Sequence, residues 1–318
     1  MFTPQKSSRL LSAFDPVAGR WTALPLRQHT TSIRRPSPRP AHSRTVREQL
    51  SITSCNIHAV PFKRVERSQL ILDRILGHKS SDIIFLQEVA SDVRQSVLDD
   101  PRVRLRFLTS DAEDDTAFQG VPFATMTLLS SERFVSPLLA EKKDVGDSKG
   151  EREGEGKVML HNAFRMTLPS RYERDALCVN FDDPATPGHV LRLLQVHLDS
   201  LNSSFRRAFE VHLLDRLLRE GGCSGGIIAG DFNAIDPYDD TLVESHGLVD
   251  AWVKLHGRTT GATWGVGVEL ENGRRPRRLD KVVMLGLEPV DIEVLQPGRL
   301  DAGTPWSDHC GLRCTFTV

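Results

Sequence analysis

The sequence predicts a layered α/β domain, a four-layer α/β sandwich of two packed mixed β-sheets flanked by helices. Three observations predict it. Strand-like runs recur along most of the chain, a few amphipathic helical stripes lie between them, and several runs end on a carboxylate, amide or imidazole.

In chain order, Leu50 to Ile57 alternates as a strand does and runs into Asn56. Arg64 to Leu76 sets Leu70, Ile71, Ile75 and Leu76 on one helical stripe, and Asp82 to Leu86 reads as a buried strand ending at Gln87-Glu88. Strands follow over Ala124 to Leu129, Ala176 to Phe181 and Val190 to His197. The stretch 141–157 is charged and almost without apolar residues, which predicts a surface loop. Phe205 to Arg219 reads as a helix with Phe209, Leu213, Leu214, Leu217 and Leu218 turned to the core. Gly225 to Gly230 is a short strand ending in Asp231-Phe232-Asn233, and Leu279 to Leu285 and Gly311 to Val318 are further strands. No internal repeat is visible.

The chain divides into residues 1–49, a basic Ser/Pro/Arg-rich leader, and a domain over 50–318. The leader has only Asp15 and Glu48 as acids and supports three readings: a mitochondrial transit peptide, a disordered leader, or a strand near 12–24 that docks through Phe14, Trp21 and Leu24. Lys+Arg 41 against Asp+Glu 42 leaves a net charge of -1, so any nucleic-acid contact must be local. Five cysteines without CxxC spacing argue for reduced thiols and an intracellular protein of the nucleus or cytoplasm, or of the mitochondrion if the leader is a transit peptide. No stretch has the roughly 18 to 20 apolar residues that cross a bilayer, which excludes an integral helical membrane protein.

The polar residues at strand ends carry the chemistry. A lone Asn or Asp there merely caps a turn. Here Asn56, Glu88, His197, Asp231, Asn233 and Asp308-His309 recur, and one sheet edge can gather them. Phosphodiester hydrolysis needs a hard cation, an oriented water and donors for charge on the non-bridging oxygens. Glu88 and Asn56 offer oxygen to Mg²⁺, zinc-type His/Cys clusters are absent, and a carboxylate neighbour would hold His197 or His309 protonated.

The ordered set Ser54-Cys55-Asn56-Ile57, Gln87-Glu88, His197-Leu198-Asp199-Ser200, Gly230-Asp231-Phe232-Asn233, Leu279-Asp280 and Ser307-Asp308-His309 resembles the motif series of the endonuclease/exonuclease/phosphatase superfamily. It spans about residue 50 to the end. The details are most similar to the 5′-tyrosyl-DNA phosphodiesterase 2 branch, with Arg207 on the following helix, Val249-Asp250-Ala251-Trp252 and Thr263-Trp264. Ser54-Cys55 stands where that branch has Thr-Trp, Asp199 replaces a Glu, and Gly265 replaces an Asp.

The resemblance implies a DNase I-like fold and a Mg²⁺-dependent phosphodiesterase, with Mn²⁺ as substitute. It implies Glu88, Asn56 and Asp308 as metal ligands and Asp231 as the residue that activates water. Asn233 and His197 would grip the phosphate, and His309, oriented by Asp280, would stabilise the transition state. Ser200, Arg207 and Trp264 would contact substrate. The implied function is DNA repair by hydrolysis of 5′-phosphotyrosyl adducts, with single-stranded 5′ ends or protein-DNA adducts as partner and no membrane. Another nuclease, a deadenylase or a small-molecule phosphatase of the same fold, or a catalytically silent binding module, are the alternatives.

Overall fold

The computed structural model describes residues 2–26, 48–77, 81–137, 157–301 and 303–318. Two eight-stranded mixed sheets pack face to face. The first contains β1 (Lys6–Arg9), β8 (Phe134–Val135), β9 (Val158–Thr167), β10 (Asp175–Asp182), β11 (Val190–His197), β12 (Cys223–Asp231), β13 (Val249–Asp250) and β14 (Asp280–Leu285). Its order is β1-β9-β10-β11-β12-β14-β13, with β8 beside β9. The second contains β2 (Leu11–Asp15), β3 (Arg20–Ala23), β4 (Gln49–Asn56), β5 (Ile83–Val89), β6 (Phe107–Ser110), β7 (Ala124–Ser130), β15 (Glu288–Leu295) and β16 (Gly311–Thr317), in the order β15-β16-β4-β5-β7-β6-β2-β3.

Successive strand residues point to opposite faces, and both faces are covered. Ile83 and Phe85 therefore enter the core between the sheets, with Leu193, Ile227 and Val282 from the other side. Their neighbours Ile84 and Leu86 pack outward against Ile71, Leu72 and Ile75 of helix α1 (Arg64–Gly77) and Val93 and Val97 of α2 (Ser91–Asp99). A short α3 (Pro101–Arg106) follows. On the first sheet, Leu194, Ile228 and Val283 pack outward against Val211, Leu214 and Leu218 of α4 (Ser204–Leu218) and Leu242 of α5 (Asp239–Ser245). The last helix is α6 (Ala251–His256). Near one end of the sandwich the sheets are tied by polar bonds. The Gln195 amide donates to the Leu86 carbonyl at 2.6 Å and accepts from the Thr127 hydroxyl at 2.6 Å.

Several elements were not foreseen. Strand β9 carries His161, Asn162 and Arg165 among its apolar residues, which blurs its alternation, and β15 is an edge strand with Glu288, Asp291 and Glu293 on its open face. Phe209 is corrected: it lies on the solvent side of α4 with 38% of its surface exposed, because Val211, Leu214 and Leu218 already fill the sheet-facing side.

The amino-terminal segment belongs to both sheets. β1 pairs with β9, while β2 and β3 form a hairpin that extends the second sheet through β6. Trp21 meets Phe14 edge-on at 5.5 Å and its indole donates to the Leu98 carbonyl at 3.2 Å. Residues 27–47 lie outside the described residues, as does the charged stretch expected at 141–157 apart from Lys157, whose ammonium donates to the Ser131 carbonyl.

Leu11 and Leu24 are buried, at 0% and 6% exposure, and a fully buried Leu contributes about 1.5–3 kcal/mol. A chain starting at residue 27 should therefore unfold with at least about 3 kcal/mol less stability in urea titration. An unchanged midpoint would show that the hairpin adds nothing.

Candidate active site

Strand register assembles one half of the site. His197 lies opposite Asp231 in the parallel β11/β12 pair, and Asp231 lies opposite Asp280 in the antiparallel β12/β14 pair. Three adjacent strands thus set His197, Asp231 and Asp280 in a row. The close approach of β11 and β12 requires Gly230: at φ 144° a Cβ there would sit 1.9 Å from the Val196 carbonyl oxygen.

The other half comes from the second sheet. Asn56 ends β4, and Glu88 sits in an irregularity of the β5/β7 pairing between Leu86 and Val89, a bulge that re-aims its side chain. Glu88, His58 and Asn233 all take left-handed backbone, with φ of 57°, 60° and 48°. Such conformations persist where surrounding bonds impose them. The His58 amide donates to Asn56 Oδ1 at 3.0 Å, the Ala59 amide to Glu88 Oε2 at 2.8 Å, and the Asn233 amide to Asp231 Oδ1 at 2.8 Å.

The halves meet at Asn56, whose Nδ2 donates to Glu88 Oε1 and to Asp231 Oδ2, each at 3.1 Å. His309 Nδ1 bonds Asp280 Oδ2 at 2.8 Å, while its Nε2 lies 3.7 Å from Asp231 Oδ2. His197 Nε2 lies 3.5 Å from the same oxygen. Burial opposes a charge on His309, but the carboxylates of Asp280, Asp231 and Asp308 outweigh it and hold the imidazole protonated. Burial pushes the Asp231 carboxyl up, against the pull of His309. His197 departs from expectation. Burial, Arg174 and His309 lower it well below its ordinary value, so it is a neutral imidazole despite its carboxylate neighbour.

Asp308 completes the arrangement. Its Oδ2 accepts from the Trp264 indole at 3.0 Å, and its buried Oδ1 has no hydrogen-bond partner, with His58 Nδ1 at 3.5 Å. Glu88 and Asp308 are half-buried carboxylates on the second-sheet side, whereas Asp231 and Asp280 are buried. The unpartnered Asp308 oxygen, the Glu88 carboxylate and the Asn56 amide oxygen are of the donor type that suits a hard divalent cation that keeps several waters. Asp231, Asp280 and His309 also have ligand atoms within 4.8 Å of one another. There, however, the one imidazole nitrogen is committed to Asp280 and the ring is cationic, which suits proton chemistry better than ligation.

Ser200 is half-buried on the loop after β11, and Trp264 is half-buried and oriented by Asp308. Asn233 Nδ2 donates to the Leu198 carbonyl at 2.9 Å. Arg207 is corrected. It is 1% exposed, its guanidinium donates to Asp239 at 3.0 and 2.7 Å and to the carbonyls of Asp199 and Leu201, and no face is left for substrate.

Two arginines escaped sequence reasoning. Arg174 stacks over Phe123 at 5.0 Å, and Phe123 stacks on His197 at 5.8 Å. Among the described residues it has no carboxylate within ion-pair distance, its buried Nε lacks a partner, and burial lowers its pKa against the fields of Glu88 and Asp231. It precedes a strand instead of ending one, so no motif marked it. Arg67, 2% exposed, donates to the carbonyls of Ile57, His58, Val60, Phe62 and Trp306. It thereby clamps the loop that holds Glu88 to the turn that carries Asp308.

With two sheet ends converging on this set, comparison with known proteins is decisive. The model of the endonuclease/exonuclease/phosphatase family matches residues 53–309. The chain belongs to that family. It is accordingly a phosphoester hydrolase of a metal-dependent class, with the family's DNase I-like fold. No curated protein matches the sequence significantly. Among solved structures, D. rerio TDP2 complexed with a single-strand DNA product is similar at 20% identity and TM-score 0.63, over 85% of this chain and 99% of that one. Truncated Caenorhabditis elegans TDP2 is similar at 18% identity and TM-score 0.62, over 85% and 98%. The human nocturnin catalytic domain with bound sulfate is similar at 20% identity and TM-score 0.56, over 89% and 100%. Among the described residues of this family member, no helix is long and apolar enough to cross a membrane.

If Arg67 positions the ligands, Arg67→Lys, which loses the planar fork, should raise the Mg²⁺ concentration for half-maximal activity about tenfold, equivalent to ~1.4 kcal/mol. The turnover at saturating Mg²⁺ should change less. A metal titration with an unmoved midpoint would make Arg67 a packing residue only.

Proposed function

We propose that this protein is a Mg²⁺-dependent phosphodiesterase that hydrolyses 5′-phosphotyrosyl or related adducts at single-stranded DNA ends, a repair activity. The observation that carries it is the row His197, Asp231 and Asp280 on the first sheet, met across the junction by Asn56, Glu88, Asp308 and His309 from the second. The similarity to TDP2 structures, one of them holding a DNA product, supports this choice over other substrates of the fold.

Glu88, Asp308 and the Asn56 amide oxygen would hold the metal, which supplies charge neutralisation at the phosphate; Mn²⁺ would substitute. Asp231, aligned by Asn56 Nδ2 and the Asn233 amide, orients a water and takes its proton. The water oxygen bonds to phosphorus as the bond to the tyrosyl oxygen breaks, leaving a 5′-phosphate. His309, held cationic by Asp280, donates to a non-bridging oxygen where charge develops. Neutral His197 donates a second N–H, and Asn233 contributes a further amide contact. Arg174 supplies a fixed positive charge, and Trp264 offers a ring beside Asp308 for a base.

Asp231→Asn should lower kcat by about 10² to 10⁴ with little change in KM, and His309→Ala should do the same. The double variant should lose far less than the product of the two, because a mispositioned water leaves little transition-state charge to stabilise. Turnover near wild type in Asp231→Asn would sink the assignment and favour a silent binding module.

Substrate choice is read from a panel of 5′-tyrosyl single-stranded DNA, abasic duplex DNA, poly(A) RNA and a phosphoinositide, with Mg²⁺ or with chelator. Tyrosyl-DNA should exceed the others by at least about a hundredfold in kcat/KM, roughly 2.7 kcal/mol, and chelator should abolish turnover. Equal rates would make the protein a general nuclease or phosphatase of this fold.

A further inference from the structure

Helix α4 carries aromatic rings on its outer face as well as apolar residues toward the sheet. Its solvent face carries Phe205, 86% exposed, Phe209, 38% exposed, and His212, at positions i, i+4 and i+7, with Arg216 one turn further. Phe209 and His212 present nearly parallel rings, 16° apart in plane with centroids 6.4 Å apart. An exposed aromatic row of this kind is rare on a monomer surface unless something covers it.

The row opens at its amino-terminal end into a groove of about 460 Å³ lined by Phe2, Arg171, Asn202, Phe205, Arg206 and Phe209 among others. No acid lines the groove, and the two acids of α4, Glu210 and Asp215, are both buried. The groove shares the loop after β11 with the active site. The Arg171 amide donates to Asp199, two residues beyond His197, at 3.0 Å, and Asn202 lies on the same loop as Ser200.

We infer that this groove and the outer face of α4 form a binding track for single-stranded nucleic acid, which leads the strand to or from the phosphodiester site. The chemistry selects this occupant. Exposed rings at successive helical turns can stack on unpaired bases, whose flat faces a duplex keeps covered, and Arg171, Arg206 and Arg216 can pair with phosphates. An apolar protein partner would use the rings but gain nothing from the cations, of which, among the described residues, Arg206 alone has a carboxylate nearby, Asp199 at 3.9 Å. The inference rests on the phosphodiesterase reading and names where the strand beyond the scissile bond runs.

Binding is tested by fluorescence anisotropy of a labelled 20-nucleotide single strand with the full chain in chelator, so that turnover plays no part. Phe205→Ala/Phe209→Ala should raise Kd at least about tenfold, Phe205→Trp/Phe209→Trp should restore it, and a blunt duplex of the same sequence should bind both proteins alike. Arg206→Gln should flatten the salt dependence of binding to the strand by about 0.7 in log–log slope. Thermal melting checks the fold, which such exposed positions should leave intact. An unchanged Kd in the double alanine variant would overturn the inference, as would an equal loss of duplex binding. A flat Kd together with loss of self-association on a sizing column would assign the face to a protein contact. Hydrolysis of the substrate panel is measured separately: absence of all turnover would remove the phosphodiesterase reading without altering the binding result.

Discussion

The Asn56 carboxamide is the joint on which this site depends. Its two N–H groups reach Glu88 on its own sheet and Asp231 on the opposite one, and its oxygen takes the His58 amide. The Glu88 and Asp231 carboxylates would otherwise repel across the gap. A neutral donor between them fixes their separation without adding charge. The same requirement reaches deeper, to the Gln195 amide that bonds the Leu86 backbone two residues before Glu88 and two residues before His197 in its own strand. Hydrophobic packing alone allows two sheets to slide; these directional bonds do not.

Around that joint, arginines serve main-chain oxygen more than acids. Loops that cross a sandwich edge bury carbonyls that no strand neighbour can satisfy, and an unpaired buried carbonyl is costly. One guanidinium offers five donors in a plane. Arg67 gathers five carbonyls, and Arg207 gathers two carbonyls along with Asp239. Arg174 differs, because its fork meets aromatic faces and its charge is left facing the carboxylates of the site. That contrast separates two arginines that tie loops together from one whose charge faces the site.

The central strands and the residues at their ends were legible because both rest on local pattern: a run of apolar residues buried on two faces, then a polar residue where the run stops. His197, Asp231 and Glu88 follow this rule. What pattern could not give was anything set by the other side of a contact. Phe209 has helical spacing fit for a core, yet Val211, Leu214 and Leu218 occupy that core first. Arg207 sits on the helix after the His197-Leu198-Asp199-Ser200 motif, yet the carbonyls of Asp199 and Leu201 claim it. The protonation of the two histidines was half legible: a carboxylate neighbour is visible in sequence for both, but only His309 has one in hydrogen-bonding contact.

The departures from the tyrosyl-DNA phosphodiesterase pattern can be weighed by where they fall. Cys55 packs into the layer of Ile71, Ile75 and Trp306 beside a void of about 20 Å³ that His309 also lines, so the missing Trp falls on packing behind His309. Asp199 is fully buried and spends its oxygens on Ser170 and the Arg171 amide, so a side chain one methylene shorter than Glu serves to pin the neighbouring loop. Gly265 is the departure nearest the turn that carries Asp308. Its amide donates to the Asp308 carbonyl at 2.9 Å, its φ is 72°, and a Cβ there would come within 2.8 Å of Leu270. An Asp at this position would have to move Leu270 or give up that turn. The turn after Trp264 has therefore settled on a conformation without a side chain at position 265. Position 265 consequently brings no negative charge beside Trp264, and the nearest carboxylates along that loop are the exposed Glu269 and Glu271.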